Sequence, residues 1–220
     1  MATNLKNKKV LITSGPTWVP IDNIRVISNT ASGKTGVLLA NNFAQQGCRV
    51  TLLLGPAEAS GLNNLVSLKR FTFFDELNNL IKKELDKNYD IVIQAAAVSD
   101  FKPRSVSNKK ISSNNKSLEL ILKPTPKIIN SLRKLKPRSY LAGFKFEPDM
   151  AAGKLIKEAR RLIKAADLDC VVANSLSNKR YSAYIVESKK NYGPFLSKPE
   201  MVNSLVKLIG GKYAGSKYFR

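Results

Sequence analysis

KVLITSGPTWVPIDNIRVISNTASGKTGVLLANNFAQQGCRVTLLLGP, from Lys9 to Pro56, is the stretch whose change of periodicity decides the fold. Its first six residues, Lys9–Ser14, form an apolar run of strand length and composition. After an irregular stretch, Gly33–Gln46 carries Val37, Leu38, Ala40, Phe43 and Ala44 at the spacing of one helix face, and Gly47 closes that helix as a C-cap. Cys48–Leu54 is a second strand, stopped by Gly55-Pro56. Strand, helix, strand is the opening unit of a parallel, doubly wound sheet.

Moving outward, Leu65–Phe71 reads as a strand and Asp75–Leu85 as an amphipathic helix, with Thr72 and Asp75 at the spacing of a capping pair. Asp90–Gln94 is a buried strand running into Ala95-Ala96-Ala97, small residues that leave room for a ligand at a strand's carboxyl end. Phe101–Asn115 is polar, basic and without periodicity, so residues 101–117 are expected to form a mobile lid loop. Leu118–Leu122 alternates as a strand, Pro126–Leu135 begins a helix with proline in its first turn, and Tyr140–Phe146 is again strand. A helix over Met150–Ala166, a buried strand Asp169–Asn174, the run AYIVES, a helix over Lys198–Leu208 and a basic tail at 211–220 complete the chain. No internal repeat is present. The pattern predicts an α/β fold over residues 1–220, a single domain. Its core is a Rossmann-like, mostly parallel, doubly wound sheet with helices on both faces.

Composition narrows the chemistry. The 220 residues are 43% apolar and 24% charged with no Gly/Ser-rich or Pro-rich linker, which predicts a packed globule. No apolar run approaches the roughly 18 residues that would span a bilayer, and MATNLKNKKV lacks the apolar stretch and small-residue cleavage site of a leader, so a cytoplasmic location is expected. Cys48 and Cys170 each sit in an apolar strand-like run, the position of a buried free thiol. The absence of histidine excludes Ser-His-Asp triads, Cys-His pairs and His-ligated zinc, leaving acid-base work to Lys, Asp, Glu, Cys or Tyr. Lys and Arg number 37 against 16 Asp and Glu, a formal charge of +21 that attracts polyanions of any kind. The cations are dispersed, and the 8% of aromatic residues do not cluster with them, which argues against a nucleic-acid groove.

Ser28–Thr35 (SNTASGKT) invites comparison with a phosphate-binding P-loop, but Ser28 stands where that motif needs its first glycine. Thirteen residues also intervene between Ser14 and Ser28, whereas a P-loop follows its strand directly. What survives is a Ser-Gly-x-x-Gly turn at a helix start. It reads either as an anion cradle or as an ordinary start capped by Ser32. Gly15–Asn29, AAAVSDFKP and DCVVANSLS all follow or end buried strands, and three polar patches at strand ends imply one site.

Taken in order, ITSGPTWVPIDNIRVISNTASGKTG, VTLLLGP, AAAVSDFKP, LKPTPKII, AGFKFE and DCVVANSLS resemble phosphopantothenoylcysteine synthetase, also called phosphopantothenate-cysteine ligase, from Lys9 to Ser188. The resemblance implies a ligase of coenzyme A biosynthesis that joins 4'-phosphopantothenate to L-cysteine through an acyl-nucleotidylate, releasing pyrophosphate. It implies CTP, with ATP as the alternative, as co-substrate, Mg²⁺, a homodimer, no membrane and no specific nucleic acid. The flavin-containing decarboxylase domain often fused ahead of this family has no counterpart here, so no flavin and a separate phosphopantothenoylcysteine decarboxylase are expected. Two alternatives stand beside it: a basic nucleic-acid-binding module on the same fold, or a catalytically degenerate relative.

Carried over position by position, Asn29 matches the asparagine that holds the acyl-nucleotidylate, and Lys110 falls where the family's lid lysine lies; both are the expected catalytic residues. Gly15, Ser32, Gly33 and Gly36 match phosphate-cradling turns, and Ala95, Ala96 and Asp100 a nucleotide-contacting strand end. Pro126, Ile128 and Phe144 match further pocket positions, while Asp22 and Arg25 flank the asparagine as substrate-binding candidates. The sequence departs in three places. The lid reads Lys110-Ile111-Ser112-Ser113 where the family is denser in lysine, with basic residues upstream at Lys102, Arg104 and Lys109. Ala31 replaces a serine, and two helix lysines have only Arg161 and Lys164 as nearest counterparts. The metal ligands stay unassigned.

Overall fold

Val10, Leu11 and Ile12 are all fully buried, which requires β1 (Lys9–Ser14) to be covered on both faces and flanked on both edges. The computed structural model, which describes residues 4–114 and 116–214, places it so. Then follow β2 (Trp18–Pro20), β3 (Val26–Ser28), α1 (Lys34–Gln45), β4 (Arg49–Leu54), β5 (Ser67–Arg70) and α2 (Phe74–Leu85). Next come β6 (Ile91–Gln94), β7 (Phe101–Pro103), β8 (Leu122–Pro124), a 3-10 turn at Ile128–Ser131, α3 (Leu132–Leu135) and β9 (Tyr140–Phe146). The chain finishes with α4 (Ala152–Ala166), β10 (Cys170–Ser177), β11 (Arg180–Val186), β12 (Asn191–Phe195) and α5 (Lys198–Ala214).

Eight strands form one sheet in the order β12-β11-β10-β9-β6-β1-β4-β5. The strands from β10 across to β5 are parallel, and β11 and β12 fold back antiparallel on the β10 edge. Because the chain winds from β1 out to β5 and returns to β6 on β1's other side, the order reverses between β1 and β6, the crevice where open α/β sheets take ligands. Strand residues alternate between two apolar layers. Val10, Ile12, Ile91 and Ile93 pack under α1 and α5 with Phe43, Met201 and Leu205. Leu11, Val92 and Leu141 pack under α2 and α4 with Leu77, Ile81, Leu155 and Ala159. The α/β class and the helices on both faces are as the periodicity predicts.

Several local expectations change. The stretch read as irregular contains the β2–β3 hairpin. Phe101–Pro103, expected as lid, is a strand paired with β8, and the strand expected at Leu118–Leu122 begins only at Leu122. Leu118 and Ile121 are exposed, so the alternation there has no layer to face. The helix expected from Pro126 starts as a 3-10 turn at Ile128, since Lys127 is extended. At α2 the carboxylate that caps is Glu76, accepting from the N–H groups of Thr72 and Phe73; Thr72 belongs to the incoming extended segment, its carbonyl accepting from Trp18 N. α1 is capped by Gly33 at φ +69, without a bond from the Ser32 side chain. β12 was not foreseen, and α5 runs on to Ala214; the rest of the expected basic tail, 215–220, lies outside the described residues. Asn115, in the expected lid, also lies outside them. Both cysteines are buried, and burial pushes each thiol up to about 12, so neither presents a thiolate at neutral pH.

Candidate active site

The switch-point crevice is built from the segments that leave β1 and β6. Gly15, at φ +77, turns the chain out of β1 and its carbonyl accepts from Ala97 N at 2.9 Å, while Thr17 N donates back to Ala97 O at 3.3 Å. Ala95 N donates to Thr13 O at 3.1 Å and Ala96 N to Thr13 Oγ1 at 3.2 Å. The two exits therefore stay stitched together beyond the sheet and give the crevice a fixed floor. A buried hydroxyl network holds the next residues: Thr17 Oγ1 accepts from Ser99 N at 2.9 Å, and Thr125 Oγ1 donates to Ser99 O at 2.5 Å. The motif reading missed Thr17, Ser99 and Thr125, because isolated hydroxyl residues leave no pattern in a sequence.

On one side of this floor stands the start of α1. Its first turn lies against Ser14, whose Oγ donates to Gly33 O at 3.1 Å. A Cβ on Gly36 would fall 2.2 Å from Ser14 Cβ, so only glycine lets the helix approach. The start of the helix borders a cavity of about 450 Å³ lined by Ala31, Ser32, Lys34, Val37, Pro56 and Glu58. Arg70 donates to Ala57 O at 2.6 Å and thereby fixes the loop that forms the far wall.

Asn29 sits at the mouth of the crevice. Its Nδ2 donates to Ala97 O at 3.1 Å and to Val98 O at 3.5 Å, which orients the amide over the stitched exits. Asp100, at the rim, forms an ion pair with Lys127, and its carbonyl accepts from Thr125 N. Ile128 is buried, Phe144 half-buried and Pro126 exposed, on the β9 side of the crevice.

Asp22 and Arg25 point elsewhere. The Asp22 carboxylate is fully buried: Oδ1 accepts from Ile24 N at 2.9 Å and Arg25 N at 2.7 Å, and Oδ2 accepts from Arg25 NH1 at 2.7 Å and Ile111 N at 3.0 Å. The Ile111 N–H, then burial working against it, then the Ile24 and Arg25 donors leave its pKa lowered to about 2. Arg25 NH1 also donates to Ile111 O at 3.0 Å, and Ser107 N to Ile21 O at 3.1 Å. The loop expected to be a free lid is thus fastened at its middle to the tip of the β2–β3 hairpin, with Lys110 exposed beside the fastening.

Gly15, Asn29, Ser32, Gly33, Gly36, Ala95, Ala96 and Asp100 are brought to the crevice. Arg161 and Lys164 are not. They lie on the outer face of α4, about 13 Å and more from its start at the 1.5 Å helical rise, and α4 runs back toward the amino-terminal end of β10. Arg161 there pairs with Glu158 at 2.5 Å. Lys154 and Lys157 are the cations in the first two turns. Among the described residues no group of three acidic, histidine or cysteine side chains could hold a metal ion, and no helix is long and apolar enough to cross a membrane.

The family described as DNA/pantothenate metabolism flavoprotein C-terminal domain matches residues 5–210. This chain belongs to that family. It is 41% identical over 175 residues to a coenzyme A biosynthesis bifunctional protein, CoaBC, of Thermococcus kodakarensis, covering 79% of this chain and 42% of that protein. To the CoaBC of Borreliella burgdorferi it is 32% identical over 211 residues, covering 93% and 53%. The chain therefore spans about half the length of these curated relatives. A solved DNA/pantothenate metabolism flavoprotein of Streptococcus pneumoniae superposes with a TM-score of 0.84 at 26% identity, covering 93% of this chain and 99% of that one. The family resemblance carried by the ordered motifs and the fold class are both borne out.

Proposed function

We propose that this chain is a phosphopantothenate-cysteine ligase of coenzyme A biosynthesis. The observation that carries the proposal is Asn29, its side-chain amide tethered to Ala97 and Val98 over the β1–β6 switch point, beside a glycine-built helix start. A carboxylate oxygen of 4'-phosphopantothenate attacks the α-phosphorus of a nucleoside triphosphate, the α-β bridging bond breaks, and pyrophosphate leaves. The cysteine amine, having lost a proton, then attacks the acyl carbon; the nucleoside monophosphate departs and an amide bond remains. Both steps collect negative charge without needing a histidine.

In this reading the start of α1, with Ser32 and Gly33, meets phosphate oxygens. Ala95, Ala96, Asp100, Pro126, Ile128 and Phe144 frame the nucleotide, Asn29 holds the acyl-nucleotidylate, and Lys110 neutralises charge during its formation. CTP is the nucleotide we favour. Mg²⁺ would ride on the nucleotide's phosphates, keeping waters as this ion prefers, because the described residues form no acidic cage for it. A homodimer is part of the proposal: Trp18, Ile24, Val26, Phe101, Ile121 and Leu122 leave an exposed apolar face across the hairpin and the β7–β8 ribbon, which touch through β2 and β7.

The test is product formation from CTP, Mg²⁺, 4'-phosphopantothenate and cysteine. Pyrophosphate release that requires phosphopantothenate, and 4'-phosphopantothenoylcysteine once cysteine is added, is the expected result. Triphosphate hydrolysis indifferent to phosphopantothenate, with CTP and with ATP, would sink the reading.

A further inference from the structure

The buried carboxylate of Asp22 does more than shape its own turn. It reaches 89 positions along the chain to accept from Ile111 N, while Arg25, held by the same carboxylate, donates to Ile111 O. Donor and acceptor of one residue are captured together, so the main chain next to Lys110 is fixed in position and in direction. Between its ends, where Arg104 N donates to Ile121 O, the loop would otherwise have to order itself at the cost of closing a long flexible segment. The fastening belongs to a rigid frame. The hairpin of β2 and β3 has three cross-strand pairs, is pinned at its root by Trp18 N to Thr72 O, and continues from Ser28 straight into Asn29.

We infer that Asp22 is a positioning residue, which through the hairpin sets the loop carrying Lys110 in a fixed relation to Asn29. The inference rests on the ligase reading for its catalytic part only. Root and tip are about 10 Å apart at the rise of a strand, so the hairpin separates the two groups by more than a hydrogen bond's reach. Lys110 then serves the phosphate end of the activated substrate and Asn29 its acyl end. A single carboxylate registers one against the other.

Asp22→Asn is the selective probe. The amide oxygen can still accept from Ile24 N and Arg25 N and keep the turn, whereas the amide nitrogen meets Ile111 N donor to donor. Two readouts are needed. Trypsin should cut after Arg104, Lys109 or Lys110 at least about tenfold faster than in the parent, because cleavage follows the open population. Ile111→Pro, which deletes the donor from the loop side and leaves the hairpin intact, should show the same acceleration at Arg104 and Lys109 if the carboxylate variant folds poorly; the Lys110-Pro bond it creates is not a trypsin site and is left out of that comparison. In a double-mutant cycle on phosphopantothenate-dependent pyrophosphate release, Asp22→Asn and Lys110→Ala should each lower the rate by about ten- to a hundredfold, and the pair should be no slower than Lys110→Ala alone. Unchanged cleavage in both loop-opening variants overturns the clasp. Multiplying rate losses would make Asp22 a structural residue and overturn its action through Lys110. Proteolysis needs no substrate, so a chain without ligase activity would fail the earlier proposal and leave the clasp standing.

Discussion

Asn29 and Asp22 show how two polar side chains a few residues apart acquire opposite tasks from burial alone. Asn29 is exposed at a crevice mouth with its amide nitrogen tied down to Ala97 O. In the ligase reading Asn29→Asp replaces a donor with a charge beside an anionic intermediate. The acyl-nucleotidylate should still form, while its conversion by cysteine slows about a hundredfold or more, measurable by quench-flow with labelled phosphopantothenate. Asp22 is buried and saturated with donors, and its pKa is lowered from an ordinary 3.8 to about 2. A depressed carboxylate stabilises the folded form above its unfolded pKa, and that contribution is lost as pH falls through the folded one. Hydrogen exchange at the Ile111 amide should therefore be equally protected from neutral pH down to about 4 and lose protection toward pH 2. Asn29 was singled out by its match to the family's asparagine within an ordered string of turn formers. Asp22 was legible as a special residue but not as a loop anchor, since its partner lies 89 positions away and no local spacing encodes that pairing.

Most of the longer elements were legible, and the three-residue strands were not. β1, α1, β4, β9 and α4 appeared nearly at their true bounds, because six or more residues give a periodicity that burial enforces. β2, β3, β7 and β8 are three residues each, too short for any pattern, and three of these four contain proline. Of these short strands β3 leads into Asn29 and β7 leads away from Asp100, so the sequence conveyed the frame of the site better than its rim. Arg161 and Lys164 illustrate the same limit: a helix was correctly foreseen, but which of its turns faces the crevice depends on the direction in which it runs back along the sheet. The α1 contact is the sharpest test at this scale. Gly36→Ala gains helix propensity, yet its methyl group lands on Ser14, so the helix must lift from β1. We expect a net loss of about 1–3 kcal/mol, seen as a lower midpoint in urea unfolding, against the slight gain an open helical site would give.

At the scale of the whole molecule, a formal charge of +21 opposes association of two copies, and an apolar face must outweigh it. Ile24 is 61% exposed on the hairpin turn, and Trp18, Val26 and Phe101 are exposed on the strands near it. If that face forms the proposed homodimer, sedimentation should give a dimer for the parent protein and a monomer for Ile24→Asp, and added salt should tighten the parent by screening repulsion. The composition announced the charge and the apolar core, but a surface patch depends on which loops meet in space, and so this face was not legible.

The order of the sheet also governs how the chain can be born. β1 precedes the other strands of the sheet in the chain, yet it is a central strand, and its neighbours are β4 on one edge and β6 on the other. Until Gln94 has emerged, one whole edge of a strand made of Val10, Leu11 and Ile12 has nothing to pair with. A nascent chain stopped at Asp90 would carry that sticky border in the open, and fragment 1–90 should scatter light on dilution from denaturant where the full chain refolds clear. The switch point of the sheet, where the proposed site lies, is thus the seam closed late, between a strand that waited and the one that relieved it.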